Sequence, residues 1–497
     1  MKTFLRLSPV WVALPAMLGL LPVRPAAAQT LAVLHDFQAA SASYPYTNSD
    51  GTEPQAGLVS ARNLLYGTAS HGGSAGYGAV FAVHTDGSGF TNLYSFTNGT
   101  DGAYPNGVLL SGNALYGTAS GGGAGGGTVF KLNADGTGLG ILHTFTPLVS
   151  NGAAPYPDKT NSDGFAPQAG LLLSSNTLYG TTSLGGMDSG TVFRLNIDGN
   201  GFTNLYSFSA LHAFVFFNSD GAQPHAALAL SGNTLYGTAL KGGYSALGTV
   251  FGIHTDGSGF TNLYNFTGGT NDGSYPAAGL LVSGGALYGT MGSGGSAKNG
   301  CVFALSTNGT VFGFTNLYSF TALYASTNRD GADPAAGLSL ANNTLYGTAS
   351  IGGRTGWGTV FALHLDHLTF TNLYSFTTAA GSSPATNRDG TQPKASLVLA
   401  GSSLYGTAYA GGSAGNGTVF RLALSPALSS PRLSLATAST NAILSWPTNE
   451  AGFTLQSTTN LGTAVWSAVT TAPVVVTGQN TVTNPMVRAQ QYYRLIQ

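Results

Sequence analysis

The chain has 497 residues, 43% of them hydrophobic, 11% aromatic and only 7% charged, with 73 glycines and a formal net charge of −1 at pH 7. Charge this sparse, with no basic patch, excludes nucleic acid as a partner, and the hydrophobic content excludes a disordered chain. Cys301 is the single cysteine, so a large apolar core rather than an internal disulfide must hold the fold. At the start of the chain, Lys2 and Arg6 precede an apolar run from Val10 to Leu21, and Ala26-Ala27-Ala28 follows it. Residues 1–28 therefore read as a secretory signal cleaved near Ala28, which puts the mature chain outside the cell or at its surface. The run is too short to span a bilayer and no second long apolar segment follows, so no transmembrane segment is expected.

Four strings then recur seven times in fixed order. Leu-Tyr-Gly has its tyrosine at Tyr66, Tyr116, Tyr179, Tyr236, Tyr288, Tyr346 and Tyr405. Gly-Thr-Val-Phe and its variants end at Phe81 and six counterparts, and Leu-Tyr-Ser-Phe and its variants end at Phe37 and six counterparts. Asp-Gly-x-x-Pro starts at Asp50, Asp101, Asp163, Asp220, Asp272, Asp330 and Asp389. In the copy that ends at Phe266, four short strands are predicted: Ala227 to Leu230, Thr234 to Thr238, Gly248 to Ile253, and Phe260 to Phe266, the last with period-two alternation. Asp256-Gly257-Ser258-Gly259 is the hairpin turn before the fourth strand. Such strands suit a sandwich, a barrel or a propeller; four per unit, with a period of about 56 residues, select an all-β, seven-bladed β-propeller over 29–424. Leu31 to Phe37 is a fourth strand with no blade before it, and the last unit stops after a third strand, Gly417 to Leu424. The orphan strand is expected to fill that gap and close the ring, removing two sheet edges.

Residues 425–431 are a Pro/Ser-rich linker, and 432–497 carry none of the four strings. Alternating stretches at Ala442 to Trp446, Phe453 to Gln456, Val465 to Val469, Val474 to Val476 and Tyr492 to Ile496 predict a small C-terminal β-sandwich of five or six strands.

The Leu-Tyr-Gly-Thr, Gly-Thr-Val-Phe and Asp-Gly-x-x-Pro strings resemble the GloVer-type (Gloeo–Verruco) tandem repeat of bacterial secreted and surface proteins, over roughly residues 31–424. The resemblance implies a surface or secreted location and no particular activity. Such proteins typically carry a C-terminal sorting anchor, but no hydrophobic helix with a basic tail follows here, so that mode of retention is not expected. Leu444-Ser445-Trp446-Pro447 is similar to the second strand of a fibronectin type III-like module.

In a propeller the loops from strand four to the next strand one, and from strand two to strand three, emerge on one face. The first class varies in length and the opposite face has tight turns, so binding is expected on the variable face. Candidate ligand-binding residues there are Tyr44, Tyr46, Tyr156, Phe216, Phe217 and Tyr324 from the inserts, with Phe214, and Tyr77, Tyr244 and Trp357 from the Gly-rich loops. Exposed rings with few charges suit stacking on sugars or a protein surface; packing of the inserts onto the blades is the structural alternative. The seven Asp-Gly-x-x-Pro aspartates are expected in Asx turns rather than as a cation ring, because seven clustered carboxylates repel one another. Asp86, Asp135, Asp198, Asp256 and Asp366 are expected in hairpin turns, His84, His254 and His364 at polar strand ends, and Cys301 as a small buried strand residue. The remaining acids offer only Asp158 with Asp163, or Asp330 with Asp333, as a hydrolytic pair. Nucleophile elbows, zinc helices and phosphate loops are absent from the sequence, and neither cofactor nor metal is called for. The expected function is a non-enzymatic binding or structural scaffold for extracellular polysaccharide or a surface protein. A carbohydrate-active enzyme on the same face and a self-assembling surface component are the alternatives.

Overall fold

A computed structural model describes residues 29–150, 159–211, 217–307, 313–381, 385–424, 433–438, 441–447, 454–459, 466–476, 478–485 and 492–496. The expected signal 1–28 and linker 425–431, and Tyr156, Asp158, Phe214 and Phe216, lie outside them. The chain divides into two compact units between residues 423 and 424. Among the described residues every regular element is a strand, and no helix is long and apolar enough to cross a membrane.

The larger unit contains seven four-stranded antiparallel sheets. The first is Val59–Ala61, Leu64–Ala69, Ala79–His84 and Thr91–Ser95, paired in chain order. Five more follow the same plan within 103–144, 172–207, 229–265, 281–319 and 339–375. The seventh takes Val398–Ala400, Ser403–Ala408 and Thr418–Ala423 from its own repeat and Leu31–Asp36 as its fourth strand. Leu31–Asp36 pairs with Thr418–Ala423, Leu31 opposite Leu422, and its register slips between Val33 and His35. The same slip separates Val80 from Phe81 in the first sheet and recurs in the next five, so the N-terminal strand reproduces a fourth strand down to its bulge.

The four strings are the seams between neighbouring sheets. The phenylalanine that ends each fourth strand is buried and meets edge-on the Gly-Thr-Val-Phe ring of the next sheet. Phe96 on Phe130 at 5.1 Å is one such pair, and Phe37 of the seventh sheet on Phe81 of the first, at 5.4 Å, is another. The glycine of Leu-Tyr-Gly makes room for that ring: a Cβ on Gly67 would fall 2.5 Å from the Phe81 ring. The following threonine donates its hydroxyl to an inner carbonyl of the next sheet, from Thr118 to Ala169 at 2.7 Å through Thr407 to Ala56 at 3.4 Å. Thr68 is the exception, buried without a partner, where Gly107 (φ +132°) interrupts the inner strand of the second sheet.

The proline of Asp-Gly-x-x-Pro seats against the glycine of Gly-Thr-Val-Phe in the preceding sheet. A Cβ at Gly78, Gly127, Gly190, Gly248, Gly300, Gly358 or Gly417 would lie 2.4–2.7 Å from the facing proline Cδ. The last pair, Gly417 with Pro54, joins the seventh sheet to the first. Van der Waals contact this close needs a residue without a side chain.

The C-terminal unit has two antiparallel sheets. One orders Ser434–Ala438, Asn441–Pro447, Gln479–Pro485 and Val474–Val476; the other orders Ser467–Ala468, Thr454–Thr458 and Tyr492–Ile496. Leu444, Trp446 and Val482 from the first share a buried core with Leu455 and Tyr493 from the second. The described residues of this unit form seven strands where five or six were expected; the alternating stretches missed Ser434–Ala438 and Gln479–Pro485, and the latter has Val482 as its one aliphatic residue and so carries little hydrophobic alternation.

Candidate binding face

The Asp-Gly-x-x-Pro segment sits beside the start of the Gly-rich loop in each repeat. Thr52 bridges His71, and Ala222 bridges Lys241, so the two loop classes share one face. The aspartates are buried, and a local Asx turn is not what they make. Each carboxylate accepts from the residues that end the preceding fourth strand. Asp101 takes the Thr97 N–H at 2.7 Å, the Thr97 hydroxyl at 2.7 Å and the Tyr94 hydroxyl at 3.0 Å. Asp330 takes the Thr321 N–H at 2.8 Å and the Tyr318 hydroxyl at 2.7 Å. In two repeats histidine replaces the tyrosine: His35 on Asp50 at 2.8 Å and His143 on Asp163 at 3.2 Å. In five repeats the turn itself belongs to an asparagine two residues upstream, as where Gly51 N–H donates to Asn48 Oδ1 at 2.9 Å; Gly99 and Thr270 take that place in the other two.

The residue before each proline adopts a left-handed backbone, although none is glycine. Glu53, Tyr104, Ala166, Gln223, Tyr275, Asp333 and Gln392 have φ of 53–59°. Pre-proline residues prefer extended backbone, and positive φ strains a residue with a Cβ. The compensation is a hydrogen bond from each of these N–H groups to a carbonyl in the preceding sheet's Gly-rich loop, such as Tyr104 to Tyr77 at 2.9 Å and Glu53 to Asn416 at 3.0 Å. Seven variable side chains are thereby fixed on one face by an invariant backbone.

A continuous aromatic array grows from this arrangement. Ser41 and Thr47 close the first insert with a bond of 2.8 Å and present Tyr44 and Tyr46, 67% and 54% exposed. Tyr44 meets Tyr46 and Tyr77 edge-on at 6.2 Å, and its hydroxyl bonds that of Tyr77 at 3.0 Å. That bond, with a smaller contribution from burial, pushes the Tyr44 phenol up to about 12. Tyr77 meets Tyr104 at 6.1 Å, Tyr104 meets His71 at 4.9 Å, and His71 Nδ1 lies 3.0 Å from Glu53 Oε2. The His71 bond holds the Glu53 carboxyl below its usual range against an opposing effect of burial, and a bond with Tyr409 adds to it. Lys394 lies over the Tyr409 ring at 3.8 Å. Three predicted residues, Tyr44, Tyr46 and Tyr77, are thus brought together. Tyr244 and Tyr324 are exposed and Trp357 is half-buried, and among the described residues no ring contact links them to this group. Phe217 is exposed at its own insert. Tyr104, His71 and Tyr409 join the array unforeseen, and Tyr275 is a further exposed ring on the face.

The inner segments of all seven sheets line one cavity of about 460 Å³. Its wall is largely alanine and glycine, with Gln55, Asn106, Gln168, His225 and Lys394 at its rim.

With these seams and loops defined, the family follows from a match to the Gloeobacter/Verrucomicrobia repeat over residues 26–209, 157–303, 206–388 and 304–441. The chain belongs to this repeat family. No curated protein matches its sequence. Solved structures with some similarity include an oligogalacturonate lyase in complex with manganese (11% identity, TM-score 0.46, covering 81% of this chain and 99% of that one). TolB from Acinetobacter baumannii is another (13%, TM-score 0.35, 61% and 60%), and a chain of a nidogen/laminin complex a third (13%, TM-score 0.37, 62% and 91%).

Elsewhere in this Gloeobacter/Verrucomicrobia repeat protein the described turn acids accept local hydrogen bonds. Asp86, Asp135, Asp198 and Asp256 each accept the N–H two residues on; the side-chain bonds from Ser88, Thr137 and Ser258, with those backbone bonds, hold the first, second and fourth carboxyls low, and the backbone bond from Asn200, with its side chain, holds Asp198 low. Asp366 accepts from Asn343 at 2.6 Å. Asp330 and Asp333 are engaged separately, Asp333 with the Ser350 hydroxyl at 2.5 Å. His84, His254 and His364 bond Asn63, Ser258 and Thr344 of their own repeats. Cys301 is fully buried, and desolvation, with the nearby Asp272, pushes its thiol up to about 12. Among the described residues no group of three or more His, Cys, Asp or Glu is placed to hold a metal ion.

Proposed function

We propose that residues 31–423 form a seven-bladed β-propeller closed by the N-terminal strand. The protein then acts as a secreted or cell-surface, non-enzymatic scaffold that engages extracellular polysaccharide through the insert-bearing face. The N-terminal sequence pattern supports export. The contiguous Tyr46–Tyr44–Tyr77–Tyr104 array carries the binding reading. Its rings are exposed or half-exposed, and they come from the first insert and two adjacent sheets. Tyrosine suits a sugar chain because its ring stacks on C–H faces while its hydroxyl stays wet.

The test is a glycan array probed with the wild-type chain and a Tyr44→Ala/Tyr77→Ala variant. The wild type is expected to retain a subset of polysaccharides, and the variant to bind them about tenfold more weakly. A parallel hydrolysis and lyase screen on the retained glycans is expected to show no turnover. Turnover abolished by Glu53→Gln would replace the scaffold reading with an enzymatic one. Retention of a protein but no glycan would move the partner class.

A further inference from the structure

The cavity differs from the tyrosine array in chemistry and in lining. Its volume falls within the range of small-molecule sites, about 300–1,000 Å³. Most of the wall is uniform: Ala56-Gly57, Ala169-Gly170, Ala278-Gly279 and their counterparts present methyl groups and backbone. The residue directly after each proline is not uniform. Lys394, Gln55, Asn106, Gln168 and His225 occupy that position in the seventh, first, second, third and fourth sheets, and Ala277 and Ala335 occupy it in the fifth and sixth. The hydrogen bonds from Thr407 to Ala56, Thr118 to Ala169 and Thr181 to Ala226 place these sheets side by side, so the polar residues form one arc and the alanines another. The repeat has kept its seams and diversified this rim on one side.

The rim has one cation and no carboxylate. Among the described residues no acid lies within ion-pair distance of Lys394, whose ammonium rests on the Tyr409 ring. Of the nearby acids, Asp333 accepts from the Ser350 hydroxyl, and Glu53, whose carboxyl feels the charge of Lys394, bonds His71 and Tyr409. Gln55 and Gln168 are exposed, and Asn106 spends one N–H on the Pro167 carbonyl at 2.9 Å, which leaves its oxygen as an acceptor. Burial, helped by the charge of Lys241, pushes His225 down to about 4, so it offers neutral hydrogen-bonding nitrogens and no second charge.

We propose that this cavity is a binding site for a polyhydroxylated carboxylate of single-sugar size, either free in solution or as the terminal residue of a glycan. Lys394 takes the carboxylate, the amides of Gln55, Asn106 and Gln168 take hydroxyls, and the Ala277–Ala335 side admits the apolar face of the ring.

Calorimetry on the full chain with sodium glucuronate, glucose and acetate tests this. Glucuronate is expected to bind, and glucose and acetate to bind at least about tenfold more weakly, since each lacks one half of the recognised chemistry. Lys394→Gln is expected to weaken glucuronate by about tenfold or more at unchanged melting temperature, and Lys394→Arg to retain it. Ala335→Trp, which fills the opposite wall, is expected to block binding through shape alone. A disaccharide with a non-reducing terminal glucuronate distinguishes the sources: tighter binding than the free acid assigns a chain end, weaker binding a soluble sugar acid. Glucuronate no tighter than glucose, or equal in wild type and both blocking variants, overturns the proposal. Polysaccharide retention by the tyrosine array is scored separately, so either reading can fail alone.

Discussion

Asp163 shows what one residue of the repeat string does. Its carboxylate accepts from the Thr146 N–H at 3.0 Å, from the Thr146 hydroxyl and from His143. Burial alone would raise its pKa, but the bonds from His143 and Thr146 outweigh burial and the carboxyl lies below its usual range. A carboxyl depressed in the folded state stabilises the fold above its unfolded pKa of about 4, and that contribution is lost as pH falls through the folded value. Asp163→Asn is therefore expected to cost about 1–3 kcal/mol at pH 7 and less at pH 3, read as thermal unfolding of both proteins at both pH values. An equal cost at the two pH values would show that the charge contributes nothing. The string was plain in the sequence, but its partner was not, because the Asx-turn expectation looked only forward along the chain. The clue lay behind it: Thr97, Thr146, Ser209, Thr267, Thr321 and Thr377 each follow the phenylalanine that ends a fourth strand. The left-handed pre-proline residues left no such trace, since seven different contexts share only a backbone angle set by a neighbouring sheet.

At the scale of the element, the N-terminal strand is shared between two neighbours. Leu31–Asp36 gives its backbone to Thr418–Ala423, while Leu34 and Phe37 lie in one core cluster with Leu65 and Phe81 of the first sheet and Val419 of the seventh. Its role as a missing fourth strand was legible because the strings are offset by one strand along the chain. Its role as a wedge in the first sheet's core was not, since side-chain packing across a seam has no sequence period. Deleting Leu31 to Phe37 is expected to raise amide exchange in Thr418–Ala423, which loses its partner, and around Phe81, which loses its ring contact, before the fourth sheet at 229–265. A peptide of that sequence added in trans is expected to restore protection. Uniform exchange across all sheets, or none, would contradict this division.

For the molecule as a whole, the offset explains where the chain is open. In five sheets a short described turn joins strands three and four, and in the fifth that connection runs through 308–312, outside the described residues; in the seventh the same two strands, Thr418–Ala423 and Leu31–Asp36, pair as a hairpin with no turn between them. Leu31 faces Leu422, a separation that hairpin loops of about two to five residues span. Joining 423 to 31 with a copy of Asp256-Gly257-Ser258-Gly259, and opening the chain at that turn in the fourth sheet, permutes the larger unit without altering a seam. Every contact from Phe37–Phe81 to Gly417–Pro54 is kept. The permutant is expected to melt in one transition near the temperature of the unpermuted unit and to keep Cys301 unreactive toward thiol reagents until it unfolds, because that thiol is buried and held protonated. If the seven sheets were an open row with Leu31–Asp36 merely added to its end, the new linker would tie the row's ends together across a gap. The permutant would then unfold early and expose the thiol under native conditions.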